Sequence, residues 1–183
     1  MISTSSKQRA LALAFGVSIA ALMGAPALAA TVKVPMMLAT PQGPGASVGE
    51  VTLGDSAKGV TLAVDLHGLP PGQHGFHLHA NPSCAPSTAA DGKVIPAGAA
   101  GSHLDPDHTN MHMGPEGAGH LGDLPRIDVG ADGSAHETVT APRIKSTAEF
   151  KGHALMLHAG GDTYSDTPTL GGGGARIACG VVN

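Results

Sequence analysis

Short runs that alternate apolar with small or polar residues, each cut off by glycine and proline, leave this chain few architectures. From Val60 to His67 the side chains keep the two-residue period of a strand with one buried face. Residues 32–38, 48–53, 127–129, 136–140, 155–158 and 177–182 are further short strand candidates. Clusters such as Gly68-Leu69-Pro70-Pro71-Gly72 and Gly130-Ala131-Asp132-Gly133 separate them with turn chemistry. Past residue 30 no stretch carries a helical apolar period, so an all-β sandwich or closed barrel is expected. Phe15, Phe76, Phe150 and Tyr164 are the only aromatic residues, which leaves the core to Val, Leu, Ile, Met and Ala. Two stretches break the rhythm. Residues 81–123 are rich in Pro, Gly, His and Asp, and in 159–175 six of seventeen residues are Gly. Loops this long in a compact domain are usually functional.

Residues 1–29 read as a secretion signal. Lys7 and Arg9 supply a basic start, 10–23 is a short apolar run, and Ala27-Leu28-Ala29 is a small-residue cleavage pattern. The run is too short to span a bilayer comfortably, and no second one follows. The expectation is therefore one exported domain, 30–183, with no membrane attachment after cleavage. Loss of two positive charges takes the formal net charge from −4 to −6, and no Lys/Arg cluster is present, which argues against nucleic acid as a partner. Export also carries Cys84 and Cys179 into an oxidising compartment, where a disulfide between them is expected. Closing a loop of nearly a hundred residues is worth about 4–5 kcal/mol on the chain-entropy account.

Histidine occurs eleven times, and imidazole is the commonest protein ligand of transition metals. In the run from His74 to His79 a strand puts His77 and His79 on one face and Phe76 and Leu78 on the other, so the apolar pair anchors while both rings reach outward. The first long loop adds His103, His112 and Gly119-His120-Leu121-Gly122-Asp123. Three imidazoles and a carboxylate suit a closed zinc site, but spacing does not choose among these histidines and His108 in the same stretch. His158 ends an apolar run where the glycine-rich loop begins.

Read in order, HGFHLHANPSC from His74, AAGSHLDP from Ala99, GHLGDLP from Gly119, KGHALMLHAGGD from Lys151 and GGGGARIACGV from Gly171 resemble the copper–zinc superoxide dismutases, specifically their exported bacterial branch. The resemblance covers nearly all of 30–183. It implies a flattened eight-stranded Greek-key β-barrel, an immunoglobulin-like sandwich, with two long functional loops. It implies copper on His77, His79, His103 and His158, and zinc on His103, His112, His120 and Asp123, with His103 shared as an imidazolate. Asp162 would hydrogen-bond ligands of both metals, Arg176 would sit beside copper as a catalytic residue, and Cys84 and Cys179 would form the family disulfide. The implied activity converts superoxide to oxygen and hydrogen peroxide in the periplasm, by alternate reduction and reoxidation of copper, with zinc structuring the site.

Two departures from those relatives matter. They often carry Lys directly after the last copper ligand, where this chain has Ala159. In an acidic protein the attraction of an anion is then local, from the metals, from Arg176 and from Lys93 in the loop after Cys84. Met111 and Met113 flank His112; thioethers favour copper(I), but Met113 is expected to pack on the barrel as an ordinary apolar residue. His74 and His108 are given no ligand role, and His67, His136 and His153 read as surface or hydrogen-bonded residues. The rival function is a periplasmic copper-binding or copper-delivery protein, which would share the histidines without needing Arg176, Asp162 or the glycine-rich loop. No aromatic patch marks an interface, and a homodimer is compatible with the sequence.

Overall fold

The computed structural model describes residues 1–2 and 31–183. Apart from Met1 and Ile2, the expected signal segment lies outside the described residues. The strands, in chain order, are β1 Thr31–Thr40, β2 Gly43–Ser56, β3 Gly59–Leu66, β4 Gly72–His74, β5 Phe76–His79, β6 Ser87–Thr88, β7 Val94–Ile95, β8 Ile127–Val129, β9 Ala135–Ala141, β10 His153–His158 and β11 Arg176–Val182. Short 3-10 turns occupy Gly98–Ala100, Thr147–Phe150 and Thr169–Gly172.

Seven strands form one curled antiparallel sheet in the order β5-β10-β11-β1-β2-β3-β9. The ladder β4–β8, with Gly72 opposite Val129 and His74 opposite Ile127, joins its two edges. On one side β4 runs into β5 across Gly75; on the other β8 turns back into β9, where Gly130 N donates to Ser134 O at 2.8 Å. With β4 and β5 taken as one strand broken at Gly75, β8 is the eighth strand of the barrel. The connections β3 to β4 and β9 to β10 pass between strands that are not neighbours, which is the Greek-key order.

The alternation expected for β3 is present: Val60, Leu62, Val64 and Leu66 are buried, while Ala63 and Asp65 are exposed. On β2, Val48 and Val51 are both buried although three residues apart. A bulge absorbs the extra residue, because Met36 pairs with Gly49 and Met37 with Ser47. Gly49 has a φ of +118°, and a Cβ there would lie 2.1 Å from Asp65 O, so glycine is required. Phe76 and Phe150 are fully buried among Leu53, Leu62, Leu78, Ile127, Ile144 and Leu155. A smaller cluster of Ala97, Ala100, Ala154 and Met156 surrounds Cys179 and reaches Cys84. These two cysteines form the disulfide, with Cα atoms 5.7 Å apart across a sequence separation of 95, and it ties the first long loop to β11.

Candidate metal centre

The centre is built on β5. One edge of that strand pairs with β10, placing Met156 opposite His77 and Ala154 opposite His79. The other edge is covered by two loop segments: Leu78 N donates to Gly122 O, Leu104 N to Leu78 O, and Gly122 N to Leu104 O, at 2.8–2.9 Å. This pairing sets His103 opposite His79 and Asp123 opposite His77. A Cβ on Gly122 would lie 2.1 Å from Leu78 O, so the residue before Asp123 has to be glycine for the loop to approach. His158 ends β10 opposite Arg176, where the β10–β11 register slips.

Two groups of ligand atoms result, each within 4.8 Å: His77, His79, His103 and His158, and His77, His103, His112 and Asp123. Outer hydrogen bonds fix which nitrogen of each ring faces inward. His79 Nδ1 donates to Gly101 O at 2.9 Å and His158 Nδ1 to Gly174 O at 3.2 Å. A carbonyl only accepts, so the protons sit on Nδ1 and both Nε2 atoms present bare lone pairs, 3.3 Å apart. Burial first, then neighbouring charge, keeps these rings neutral: His79 lies well below its usual pKa, and His158 falls to about 3. Two lone pairs held against each other in a buried site are satisfied by a cation between them.

Asp162 does the same for two further rings. It accepts from His77 Nε2 at 2.8 Å and from His112 Nε2 at 2.7 Å. That leaves His77 Nδ1 and His112 Nδ1 buried without a hydrogen-bond partner among the described residues. His112 Nδ1 is 3.0 Å from Asp123 Oδ1 but out of line for a hydrogen bond. Asp123 Oδ2 is anchored by Met113 N and Gly114 N at 3.1 and 3.2 Å. Its Oδ1 faces the Nδ1 atoms of His103 at 2.9 Å and His120 at 3.3 Å.

Two buried carboxylates therefore sit among imidazoles. Burial raises the pKa of each, but hydrogen bonds and neighbouring charge outweigh it and hold both well below the carboxylate range. Burial lowers His112, yet the carboxylates of Asp123 and Asp162 beside it push it up to about 9; burial carries His103 down to about 4. The cluster is short of positive charge. Imidazole nitrogens in the first group suit copper, and imidazoles with a carboxylate in the second suit zinc. The residues fit both metals.

Geometry alone offers His77 to both groups and leaves His120 just outside the second. Arg176 is half-buried, donating from Nη1 to Ala97 O at 2.6 Å and from Nη2 to Gly101 O at 2.5 Å. Exposed Lys93 lines a surface depression together with Arg176, Val94, Ile95 and Pro96. His74 is tied to His158 O and Pro70 O, and His108 is exposed. Met113 is not buried as an ordinary apolar residue would be. Like Met111 it is 44% exposed, because the inward position of this segment is taken by His112.

Several supports left no mark in the sequence. Arg143 donates to His120 O and Gly119 O, both at 2.9 Å. Arg126 donates to Asp162 O at 3.1 Å and lies over the Tyr164 ring. Gly171, at φ +69°, leaves room for the Asp162–His112 bond: a Cβ there would lie 2.2 Å from Asp162 Oδ1.

Known proteins share this fold. Residues 47–182 match the family model described as copper/zinc superoxide dismutase (SODC). The chain is 55% identical over 170 residues to the Cu-Zn superoxide dismutase of Escherichia coli (strain K12), covering 92% of this chain and 98% of that one. The solved Cu/Zn superoxide dismutase from Brucella abortus is 54% identical with a TM-score of 0.82, covering 84% of this chain and 100% of that chain. The solution structure of the monomeric copper, zinc superoxide dismutase from Salmonella enterica is 55% identical with a TM-score of 0.76, at the same coverages. With more than half of its length matched and its histidines gathered into two metal-sized groups, the chain belongs to the copper/zinc superoxide dismutase family.

Proposed function

We propose that the centre dismutes superoxide with copper on His77, His79, His103 and His158, and zinc on His103, His112, His120 and Asp123. As a family member the chain is an oxidoreductase: two superoxide anions and two protons give one oxygen and one hydrogen peroxide. Copper, when bound, supplies the one-electron redox couple, and zinc a fixed charge beside it.

The observation that carries the ligand assignment is the pattern of occupied ring nitrogens. His79 and His158 spend Nδ1 on carbonyls and His77 spends Nε2 on Asp162, so one bare nitrogen of each is left for copper. His103 directs Nδ1 to Asp123, which leaves Nε2 on the copper side as the atom that can hold and release a proton. Once His77 Nδ1 serves copper, His120 Nδ1 is the next nitrogen at Asp123 Oδ1, and it completes the zinc set. Arg176, the cross-strand partner of His158, places a permanent positive charge beside the copper group, and Lys93 extends it along the rim. A carrier that only delivers copper would need neither cation.

The test compares the metal-loaded protein with His77→Ala and His158→Ala. Both variants are expected to lose dismutation while keeping zinc; undiminished turnover at matched copper in either would overturn the assignment. The reading includes export to the periplasm, supported by the signal-like residues 1–29 and the bacterial relatives. Protein recovered from the periplasmic fraction should have a mass that begins at residue 30. Among the described residues no helix is long and apolar enough to cross a membrane. A homodimer is compatible with the sequence, and sedimentation velocity reads the oligomeric state directly.

A further inference from the structure

Met36 and Met156 are fully buried, whereas Met111 and Met113 each stay 44% exposed. They stand on either side of His112, which is 1% exposed, so the ring faces the metal centre and both thioethers face outward. The segment is rigidly held. Met111 O accepts from His120 N at 2.9 Å, and His112 N donates to Asp166 Oδ2 at 3.0 Å. Met113 N and Gly114 N both donate to Asp123 Oδ2. Under Met113 the chain is glycine: a Cβ on Gly117 would lie 2.5 Å from Met113 Cβ, and one on Gly119 would lie 3.1 Å from it. Those glycines let the 117–119 segment run close beneath Met113.

The pinned backbone thus keeps both thioether side chains partly open to solvent. Its chemistry is soft: thioethers favour copper(I) over zinc(II). Both cysteines are in the disulfide, so no thiol competes for such an ion. Beneath the pair, the His112 ring lies 5.4 Å, centre to centre, from the ring of His77. We propose that Met111 and Met113 form a surface docking site that captures copper(I) before it passes to the buried histidines. Two thioethers bind a copper(I) ion weakly and exchange it readily, as capture and release require. The proposal rests on the copper assignment above.

The test uses the full disulfide-bonded chain, loaded with zinc and free of copper, with its methionine methyl groups labelled with carbon-13. Copper(I) alone is added anaerobically while the methyl and imidazole resonances are followed. The Met111 and Met113 methyls are expected to shift below one equivalent, with Met36 unmoved. In Met111→Leu/Met113→Leu, transfer of copper(I) from a chromophoric chelate to the histidines should slow at least fivefold. If the His79 and His158 resonances shift while both methyls stay still, or if the double variant loads at the parent rate, the docking site is overturned and the histidine centre stands. If the imidazoles do not respond to copper at all, the ligand assignment itself fails.

Discussion

Arg176 and His79 donate to the same acceptor, the carbonyl oxygen of Gly101, from Nη2 at 2.5 Å and from Nδ1 at 2.9 Å. One peptide of the disulfide-tied loop thus positions both a charge beside the proposed copper group and a ring within it. Gly101 can serve both because its φ of +78° turns the loop back after the 3-10 turn Gly98–Ala100. Arg176 fixes that loop a second time through Ala97 O. Arg176 and the candidate ligand His79 are therefore set by the same backbone.

Removing the cation leaves the His79 bond to Gly101 available, so Arg176→Ala should bind both metals and still slow the enzyme. We expect the rate per copper to fall about tenfold or more, within the range of electrostatic steering. Arg176→Lys should recover part of it, restoring charge without the planar fork. Exposed charge reaches only about 8 Å at physiological ionic strength, so the parent rate should fall with added salt and the Ala variant should respond less. Equal rates at matched copper would make Arg176 scaffold.

Asp162 holds one ring of each metal group in its tautomer, so Asp162→Asn should weaken both metals. A loss of about 10–100-fold in affinity is the usual effect of removing such an orienting bond. Gly171→Ala should separate the two metals, because its Cβ strikes Asp162 Oδ1 and His112 Nε2 while His77 bonds the other oxygen. Competition with chelators should show zinc weakened more than copper in Gly171→Ala. An equal loss of both would mean that the glycine acts through the fold.

The barrel was readable because half-buried strands repeat every two residues. The expected segment 127–129 is the observed β8, and the other segments are found within a few residues. The hairpin β6–β7 was not readable, since strands of two residues carry no period. Among the candidate ligands, the resemblance supplied His120 while spacing left His108 open; in the fold His120 approaches Asp123 and His108 is exposed. Arg126 and Arg143 escaped because they bond backbone carbonyls, which every residue has. Met113 was misplaced because a loop has no period to say which side faces the solvent.

The buried rings also set how the metal-free protein responds to pH. His103 and His158, lowered by burial to about 4 and about 3, stay neutral in the fold but take up protons when unfolded below their usual 6.5. The unfolded state then binds more protons, so stability falls as pH drops from 6.5 towards 3. Asp123 and Asp162, with lowered pKa values, add to that loss once the unfolded carboxylates protonate near 3.8. His112 acts in the opposite sense: raised to about 9, its contribution is complete below 6.5 and is lost as pH climbs through 9. The urea midpoint of the metal-free protein should peak near neutrality and decline on both sides. A midpoint that climbs steadily towards pH 4 would contradict the neutral, buried state of these rings.

The disulfide should matter to the site as well as to stability. Its loop of 95 residues is worth about 4–5 kcal/mol on the chain-entropy account, so Cys84→Ser/Cys179→Ser should unfold at markedly lower temperature. The same loop carries Ala97 and Gly101, the acceptors of Arg176 and His79. Without the bridge it is held to β11 through Arg176, so it fixes them less firmly, and the variant should lose rate and copper affinity even where it is fully folded. Zinc should suffer less, because His112, His120 and Asp123 are pinned by Arg143, Asp162 and the pairing with β5 instead. The measurement is the rate per copper, with copper and zinc affinities, at a temperature well below the variant's own unfolding. A parent-like rate and copper affinity there would restrict the bridge to stability and leave Gly101 held by its remaining hydrogen bonds alone.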